Sequence, residues 1–358
     1  MRVAIISLGS KSSRWTAEAL RKYFEQVDEI SLKDIEINFS GKNSEVLYRG
    51  VPLGKYDCIY AKGSFRYAPL LRSASYLLTD KTYMPIKPSA FTIAHDKLLT
   101  QLKLQQKNIP MPKTYLSATT EAAKNILKKI NYPIIMKFPQ GTQGKGVMFA
   151  DSFASASSML DALSALKQPF LIQEYVETGG VDFRAIVIGD KVVAAMKRKA
   201  DANEIRANIH AGGVGETVEL DSLTKKVAVD AARAIGADIC GVDMLESAKG
   251  AVVIEVNISP GLQGISSITK TDIADLISKF LYKKTVSVND ENKTNGTNEI
   301  MKDLEEVQKK EIISQLDFRG TRILLPEVIT NVSKLKNSDN VEISAEENKV
   351  SIKKFDVK

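Results

Sequence analysis

The chain is short of the residues on which several enzyme classes depend. Only two cysteines, Cys58 and Cys240, occur among its 358 residues. Both lie inside apolar runs, YDCIYA and ADICGV, and no CxxC or other metal-ligand spacing connects them. That excludes a disulfide framework and fits a reducing, cytoplasmic setting. Histidine is equally scarce, with two in the chain, so histidine-based hydrolysis has few candidates. No serine or cysteine nucleophile elbow and no HExxH occurs. No window reaches the ~18 consecutive apolar residues of a membrane span, so a soluble protein without a membrane partner is expected. The opening MRVAIISLGS carries an apolar run of a few residues and reads as a first strand, not a secretory signal. There is no long internal repeat.

What is present is an ordinary soluble composition, 44% apolar and 26% charged, over a length sufficient for two or three domains of ~100–200 residues each. The formal net charge of +7 suits an anionic ligand such as a nucleotide, an acidic protein or a nucleic acid, and suits a well-solvated basic surface equally.

Hydrophobic periodicity divides the chain. A strand at 2–8, a helix at 13–24, a strand at 56–61 and a helix at 70–78 predict a small α/β domain over 1–88. Beyond Pro85 and Pro88, helices are expected at 94–106, 120–130, 155–166, 223–235 and 271–281. Strands are expected at 134–138, 147–150, 170–176, 183–188 and 191–196, the last two joined by a Gly189-Asp190 hairpin turn. These define a second domain, 89–282. Residues 283–298, KKTVSVNDENKTNGTN, are polar and aperiodic and read as a linker. With a charged helix at 299–313 they fill 283–312, ahead of a small strand-rich module at 313–358.

The stretch ICGVDMLESAKGAVVIEVNISPG, 239–261, is the most informative. Asp243 ends one apolar run. A second run, 251–254, leads into Glu255 and Asn257, which share a face because strand residues alternate. A hairpin would bring Asp243 beside them. Two carboxylates and an amide oxygen on one face suit magnesium that also holds nucleotide phosphates. For any one of these residues alone, a charged strand end facing solvent would explain as much. A glycine-rich loop precedes them: Gly141, Thr142, Gln143, Gly144, Lys145 and Gly146 follow a strand that ends in Lys137. Its glycines let backbone N–H groups approach phosphate oxygens, and Lys137 adds a point charge. It is neither a Walker A nor a Rossmann sequence, and many such loops are plain hairpins. Glu174, Tyr175 and Val176 end a strand whose backbone edge could bind adenine, and Asp182 could accept from ribose hydroxyls or be an ordinary solvated turn residue. Arg206, Asn208 and His210 alternate ahead of Gly212-Gly213; Arg206 and Asn208 suit a transferring phosphoryl group. Lys97 is a phosphate contact or a surface lysine.

The strings HDKLLTQLKLQQKNIPMPKT, PIIMKFPQGTQGKGV, LIQEYVETGGVDFRAIVIGDKVVAAMKRKA, IRANIHAGG, GVDML and VIEVNISPGLQGI, in this order, resemble the RimK-like family of ATP-grasp carboxylate–amine ligases. The resemblance covers 89–282; residues 1–88 are more loosely similar to that family's N-terminal α/β domain. It implies an α/β (α+β ATP-grasp) fold with ATP between two lobes. It implies phosphate contacts from Lys97 and Lys137, a lid at 141–146, adenine against the backbone of Glu174–Val176 and ribose near Asp182. Arg206 and Asn208 would be catalytic, and Asp243, Glu255 and Asn257 would hold Mg2+, for which Mn2+ could substitute. The implied reaction activates an acceptor carboxylate as an acyl phosphate and joins it to an amino acid, with L-glutamate the expected donor. The acceptor stays open between a protein C-terminus, a coenzyme and a biosynthetic carrier. Two departures from the family's pattern, Ala211 in place of a frequent arginine and Lys145 in the lid, fall where acceptors differ.

The segment QLDFRGTRILLPEVITNVSKLKNSDNVEISAEENKVSIKKF is similar to the AbrB/SpoVT swapped-hairpin module. That implies a homodimer or higher oligomer built through the tail. Many such modules bind DNA, but here Arg319 and Arg322 are set against Asp339, Glu342, Glu346 and Glu347, so dimerisation or partner docking is expected ahead of DNA binding. The alternatives are a nucleotide-sensing regulator with a DNA-binding tail, or a ligase with another amino donor.

Overall fold

The computed structural model describes residues 1–40, 43–79, 82–138, 146–165, 169–199, 214–305, 317–336, 339–347 and 349–355. They fall into two compact units, Met1–Asn289 and Asp290–Lys358. Among the described residues no helix is long and apolar enough to cross a membrane.

The first unit opens with a parallel sheet in the order Gln26–Ser31, Arg2–Ser7, Cys58–Ala61. The run Val3–Ile6 is fully buried, as a central parallel strand covered on both faces requires. Ser10 caps the helix Lys11–Leu20 by accepting the Ser13 N–H at 3.2 Å. Ala17 and Leu20 on its inner face are inaccessible to solvent. A small antiparallel sheet, Ile35–Ser40, Asn43–Tyr48 and Val51–Pro52, is an addition that periodicity did not reveal.

Two antiparallel sheets follow. The four-stranded one has the order Thr114–Tyr115, Leu171–Glu174, Ile134–Lys137, Val147–Ala150. Together with helices Thr120–Leu127 and Phe153–Ala165 it encloses a core of its own, in which Leu127, Ile134, Met136 and Leu160 are inaccessible. The five-stranded one runs Val214–Thr217, Lys191–Lys199, Val181–Ile188, Ile239–Ser247, Gly250–Asn257. Its packed helix, Ser222–Ile235, is capped by Asp221 and ended by Gly236 in the left-handed conformation, φ +85°. The larger core joins this sheet to the N-terminal one without a break at residue 88: Val3, Ile59, Ile86, Phe91, Ile186 and Val242 belong to one cluster. Pro88 does not mark a gap; it opens the helix Pro88–Ile93.

Two one-residue bulges set which residues share a face of the five-stranded sheet. Between Ile186 and Val187 the pairing with Lys191–Lys199 slips, so that Asp182 faces Arg198. Between Asp243 and Met244 the second hairpin slips, so that Asp243 faces Glu255. A bulge opposes two residues to one and moves everything beyond it to the other face.

Two expectations are corrected here. The helix read at 94–106 begins three residues later: a separate helix ends at Ile93, and Asp96 starts Lys97–Gln106 by accepting the Leu98 and Leu99 N–H groups at 2.9 and 3.0 Å. Residues 283–298 are helical, not a coil linker, and form part of Ile273–Glu305. The first compact unit correspondingly runs past 282, to Asn289. The pattern concealed this because the inward positions after Leu281 are polar and satisfied. Thr285 is inaccessible and donates to the Leu281 carbonyl at 2.7 Å, and Asn289 donates to Asp57 at 3.2 Å.

The second unit contains the hairpin Asp317–Arg319/Arg322–Leu324, the helix Glu327–Ser333 and the hairpin Val341–Glu346/Lys349–Lys354. Phe318, Ile323, Ile343, Val350 and Phe355 are exposed on it.

Candidate active site

On one face of the five-stranded sheet, four neighbouring strands carry a row of charge. Arg198 pairs with Asp182, donating from Nε and Nη2 to its two carboxylate oxygens at 2.6 and 2.7 Å. Arg184 donates in the same two-pronged way to Asp243, at 2.7 and 2.6 Å, and Arg198 Nη2 reaches Asp243 as well, at 3.2 Å. Glu255 stands opposite Asp243, and Asn257 opposite Gly241. Asp182, Arg198 and Asp243 are each less than a tenth exposed. Burial alone would push the Asp243 carboxyl up, but the two guanidiniums overcome it and hold the pKa at about 2. Among the described residues Glu255 has no such clamp. Burial and then the charge of Asp243 push it up, opposed by Lys97.

The expected metal trio is thus brought together, with Arg184 and Arg198 behind it. A carboxylate offers about four lone-pair positions; the guanidiniums take three on Asp243. The Asn257 Oδ1 accepts the Ser259 N–H at 3.0 Å, which fixes the amide oxygen's orientation. Two carboxylates and an oriented amide oxygen are hard donors of the kind that Mg2+ takes. Among the described residues no group of three or more His, Cys, Asp or Glu forms another candidate metal site.

The nucleotide-side residues come from both sheets. Lys137, at the end of Ile134–Lys137, donates to Gln173 Oε1 at 2.7 Å, and Gln173 in turn donates to Thr114 at 2.8 Å. Burial first, then the charge of Lys97, lowers the Lys137 ammonium to about 8, with Glu255 opposing. Lys97, the first residue of its helix, is lowered by burial and raised by Glu255. Lys97, Lys137 and Glu255 therefore share one electrostatic environment where the two sheets meet. Glu174 is the last paired residue of Leu171–Glu174. Tyr175 and Val176 continue beyond it, and the Tyr175 ring packs edge-on against Phe149 at 5.3 Å. Gly146 adopts φ +77° and a Cβ there would lie 2.1 Å from the Phe138 ring, so only glycine fits. The oxygens of Asp182 are both engaged by Arg198, leaving a ribose contact only their remaining lone pairs. Gly141, Thr142, Gln143, Gly144 and Lys145 of the expected lid lie outside the described residues, as do Arg206, Asn208, His210 and Ala211.

A cleft of about 530 Å³ runs from Arg184, Arg198, Asp243, Glu255 and Asn257 to the N-terminal sheet, where Ser7, Ser10, Ser13 and Lys62 line it. The loop 259–262 ties the two sides together: Gly63 N–H donates to Ser259 Oγ at 3.1 Å and Leu262 N–H to Ser12 Oγ at 2.9 Å. Sequence reasoning missed Arg184, Arg198 and Lys62. Asp182 and Arg184 do alternate visibly in VDFRAIVI, but regular pairing through the Gly189-Asp190 turn would oppose Asp182 to Lys197, and only the bulge selects Arg198. No local signal marks Lys62.

A family model for the RimK-like ATP-grasp domain matches residues 94–281. The "Probable alpha-L-glutamate ligase" of Shewanella loihica is 37% identical over 292 residues, spanning 79% of this chain and 96% of that protein. The "Probable alpha-L-glutamate ligase 2" of Pseudoalteromonas atlantica is 35% identical over 304 residues, 83% of this chain and 100% of that one. Among solved structures, the ATP-grasp ligase PsnB, complexed with a phosphomimetic variant of its minimal precursor, Mg and ADP, has a TM-score of 0.62 at 18% identity, covering 79% of this chain and 98% of that one. The RimK domain protein of Sphaerobacter thermophilus has a TM-score of 0.60 at 18% identity, covering 78% and 99%. The two sheets with separate cores are the ATP-grasp fold, of the α+β class. The chain belongs to the RimK-like ATP-grasp family. It is an ATP-dependent ligase that joins a carboxylate to an amine, forming a carbon–nitrogen bond.

Proposed function

We propose that the enzyme joins L-glutamate, through its amino group, to an acceptor carboxylate activated as an acyl phosphate. The observation that carries this is the meeting of two phosphate-seeking lysines from different elements, Lys97 and Lys137, with the hard-oxygen set Asp243, Glu255 and Asn257. The curated relatives named as glutamate ligases support the choice of donor.

In this reading ATP lies between the two sheets. The backbone of Glu174–Val176 faces the adenine, the lysines draw the phosphates, and 141–146 closes over them. Arg206 and Asn208 hold the transferring phosphoryl group, and the Arg198–Asp182 pair stiffens the strand on the ribose side. Asp243, Glu255 and Asn257 would hold Mg2+, which would supply positive charge against the phosphates. A carboxylate oxygen of the acceptor attacks the γ-phosphorus, the bond to the β-phosphate bridging oxygen breaks and ADP leaves. The donor's amine nitrogen then attacks the acyl carbon, the bond to the phosphate oxygen breaks, a proton is lost from nitrogen and phosphate is released. Arg184 and Arg198 keep Asp243 ionised throughout, and closure of the cleft protects the acyl phosphate from water.

The second unit reads as an assembly module. Its two hairpins expose apolar residues that a second copy would cover in a swapped-hairpin dimer.

The test is incubation of the protein with Mg-ATP, isotope-labelled glutamate and a cell extract, followed by mass spectrometry. ATP-dependent label in a protein or coenzyme fraction supports the reading and identifies the acceptor class. Absence of label, with label incorporated from another amino acid, replaces the donor.

A further inference from the structure

The N-terminal parallel sheet has its central strand, Arg2–Ser7, flanked on one side by Gln26–Ser31 and on the other by Cys58–Ala61. The chain leaves the carboxyl ends of the central and third strands in divergent directions, and in open parallel sheets ligands bind in that crevice. Here the crevice opens into the cleft described above, where Ser10, Ser13 and Lys62 line it. Lys62 follows the third strand, with its N–H on the Ile6 carbonyl at 2.8 Å. Gly63 then turns the chain where a Cβ would strike Leu71 and Leu32 at 2.6 and 2.8 Å.

Lys62 is 4% exposed, yet its ammonium has no hydrogen-bond partner among the described residues. Its near neighbour is the Tyr60 ring, with Nζ 5.4 Å from the centroid. The contrast with the other cations of the cleft is sharp, since Arg184 and Arg198 are each matched by a buried aspartate. A buried, unmatched ammonium is costly unless something outside the protein completes it. Across the crevice the helix Lys11–Leu20 presents its N-terminus. Ser10 takes the Ser13 N–H, while the N–H groups of Lys11 and Ser12 have no acceptor among the described residues. Those donors and the helix dipole favour an anion.

We infer that Lys62 and the first turn of the helix Lys11–Leu20 form a carboxylate-binding subsite that seats the α-carboxylate of the amino-acid donor. The inference rests on the ligase reading above. Of the two non-nucleotide substrates, the acceptor is certain to bring only the carboxylate that reacts. An amino acid that reacts at its amine always keeps its α-carboxylate as an anion from binding to product. A fixed, buried cation in the same cleft matches the group that stays charged. Lys62 is on this account a specificity-determining residue that never touches the reacting atoms.

The test compares the full chain with Lys62→Met in the presence of Mg2+ and AMPPNP. Binding of common L-amino acids is measured by calorimetry, followed by the α-amide of the one that binds. Wild type should bind the acid about tenfold or more tighter than its α-amide, and K62M should lose that preference by weakening the acid alone. AMPPNP affinity should stay within about twofold, and K62M without ligand should melt above wild type because an unmatched buried charge has gone. If K62M is poorly folded, Lys62→Gln is read in the same way, and its loss of the acid-over-amide preference decides. K62M that retains the preference overturns the subsite and leaves the ligase reading intact. Wild type that binds AMPPNP but no amino acid overturns the donor reading and the subsite with it.

Discussion

At the scale of single residues, the site is governed by which charges have partners. Glu255 is the member of the trio whose replacement isolates the metal role, because Asp243 is also the counter-ion of two buried arginines. Glu255→Gln should lower ADP release by roughly a thousandfold, the several kcal/mol that a metal contributes to phosphoryl transfer, with the melting temperature little changed. Turnover within threefold of wild type would remove Glu255 from the set. Lys62 makes a prediction in pH. Burial lowers its pKa from 10.5 to about 8, so between these values the unfolded chain holds a proton that the folded one has released. For a depressed lysine the cost is fully present below the folded pKa and fades as pH rises towards the unfolded one. The extra stability of K62M, on the order of a few kcal/mol, should therefore be greatest at pH 7 and shrink steadily by pH 10. Thermal melts of both proteins across that range check it, and a constant difference would contradict a charged Lys62 in the native state.

Among the elements, the five-stranded sheet shows how one inserted residue changes chemistry. Without the slip at Asp243/Met244, Glu255 would point to the face opposite Asp243; with it, the two carboxylates stand side by side. The slip at Ile186/Val187 does the same for Asp182 and Arg198. The latter pair is buried, so breaking it on one side should be far worse than removing it altogether. Arg198→Met should cost about 3–5 kcal/mol in urea unfolding by leaving Asp182 unpaired. Adding Asp182→Leu should recover most of that, and a double variant no more stable than the single one would show that the pair does not act as a unit.

For the whole molecule, the N-terminal sheet and the five-stranded sheet share one apolar core, and the cleft between them is lined by both the metal trio and Lys62. The second unit, considered by itself, has two-stranded hairpins with apolar residues left exposed, and such hairpins are marginal unless covered. The full chain should sediment as a dimer at micromolar concentration. Ile343→Ser, in the exposed strand Val341–Glu346, should weaken the dimer by tenfold or more. A monomer at all concentrations would remove the assembly role.

Most of the strands and helices and the proximity of the trio are legible in the chain because they depend on local periodicity and on neighbours a few residues apart. An unbroken apolar run places Val3–Ile6 in a buried strand, and strand alternation places Glu255 and Asn257 two residues apart on one face. The break at Asp96 could have been read from its capping position; the helix through 283–298 could not, since Thr285 is buried and Asn289 half-buried as polar, hydrogen-bonded residues that leave no apolar stripe. The pairing of Arg198 with Asp182 depends on a bulge, which costs one residue of register and carries no distinctive sequence, and that of Arg184 with Asp243 on two strands some sixty residues apart in the chain. Lys62 is the extreme case: in the chain it is one lysine among many, and only the packing of two sheets around it leaves its charge buried, unmatched and facing a cleft.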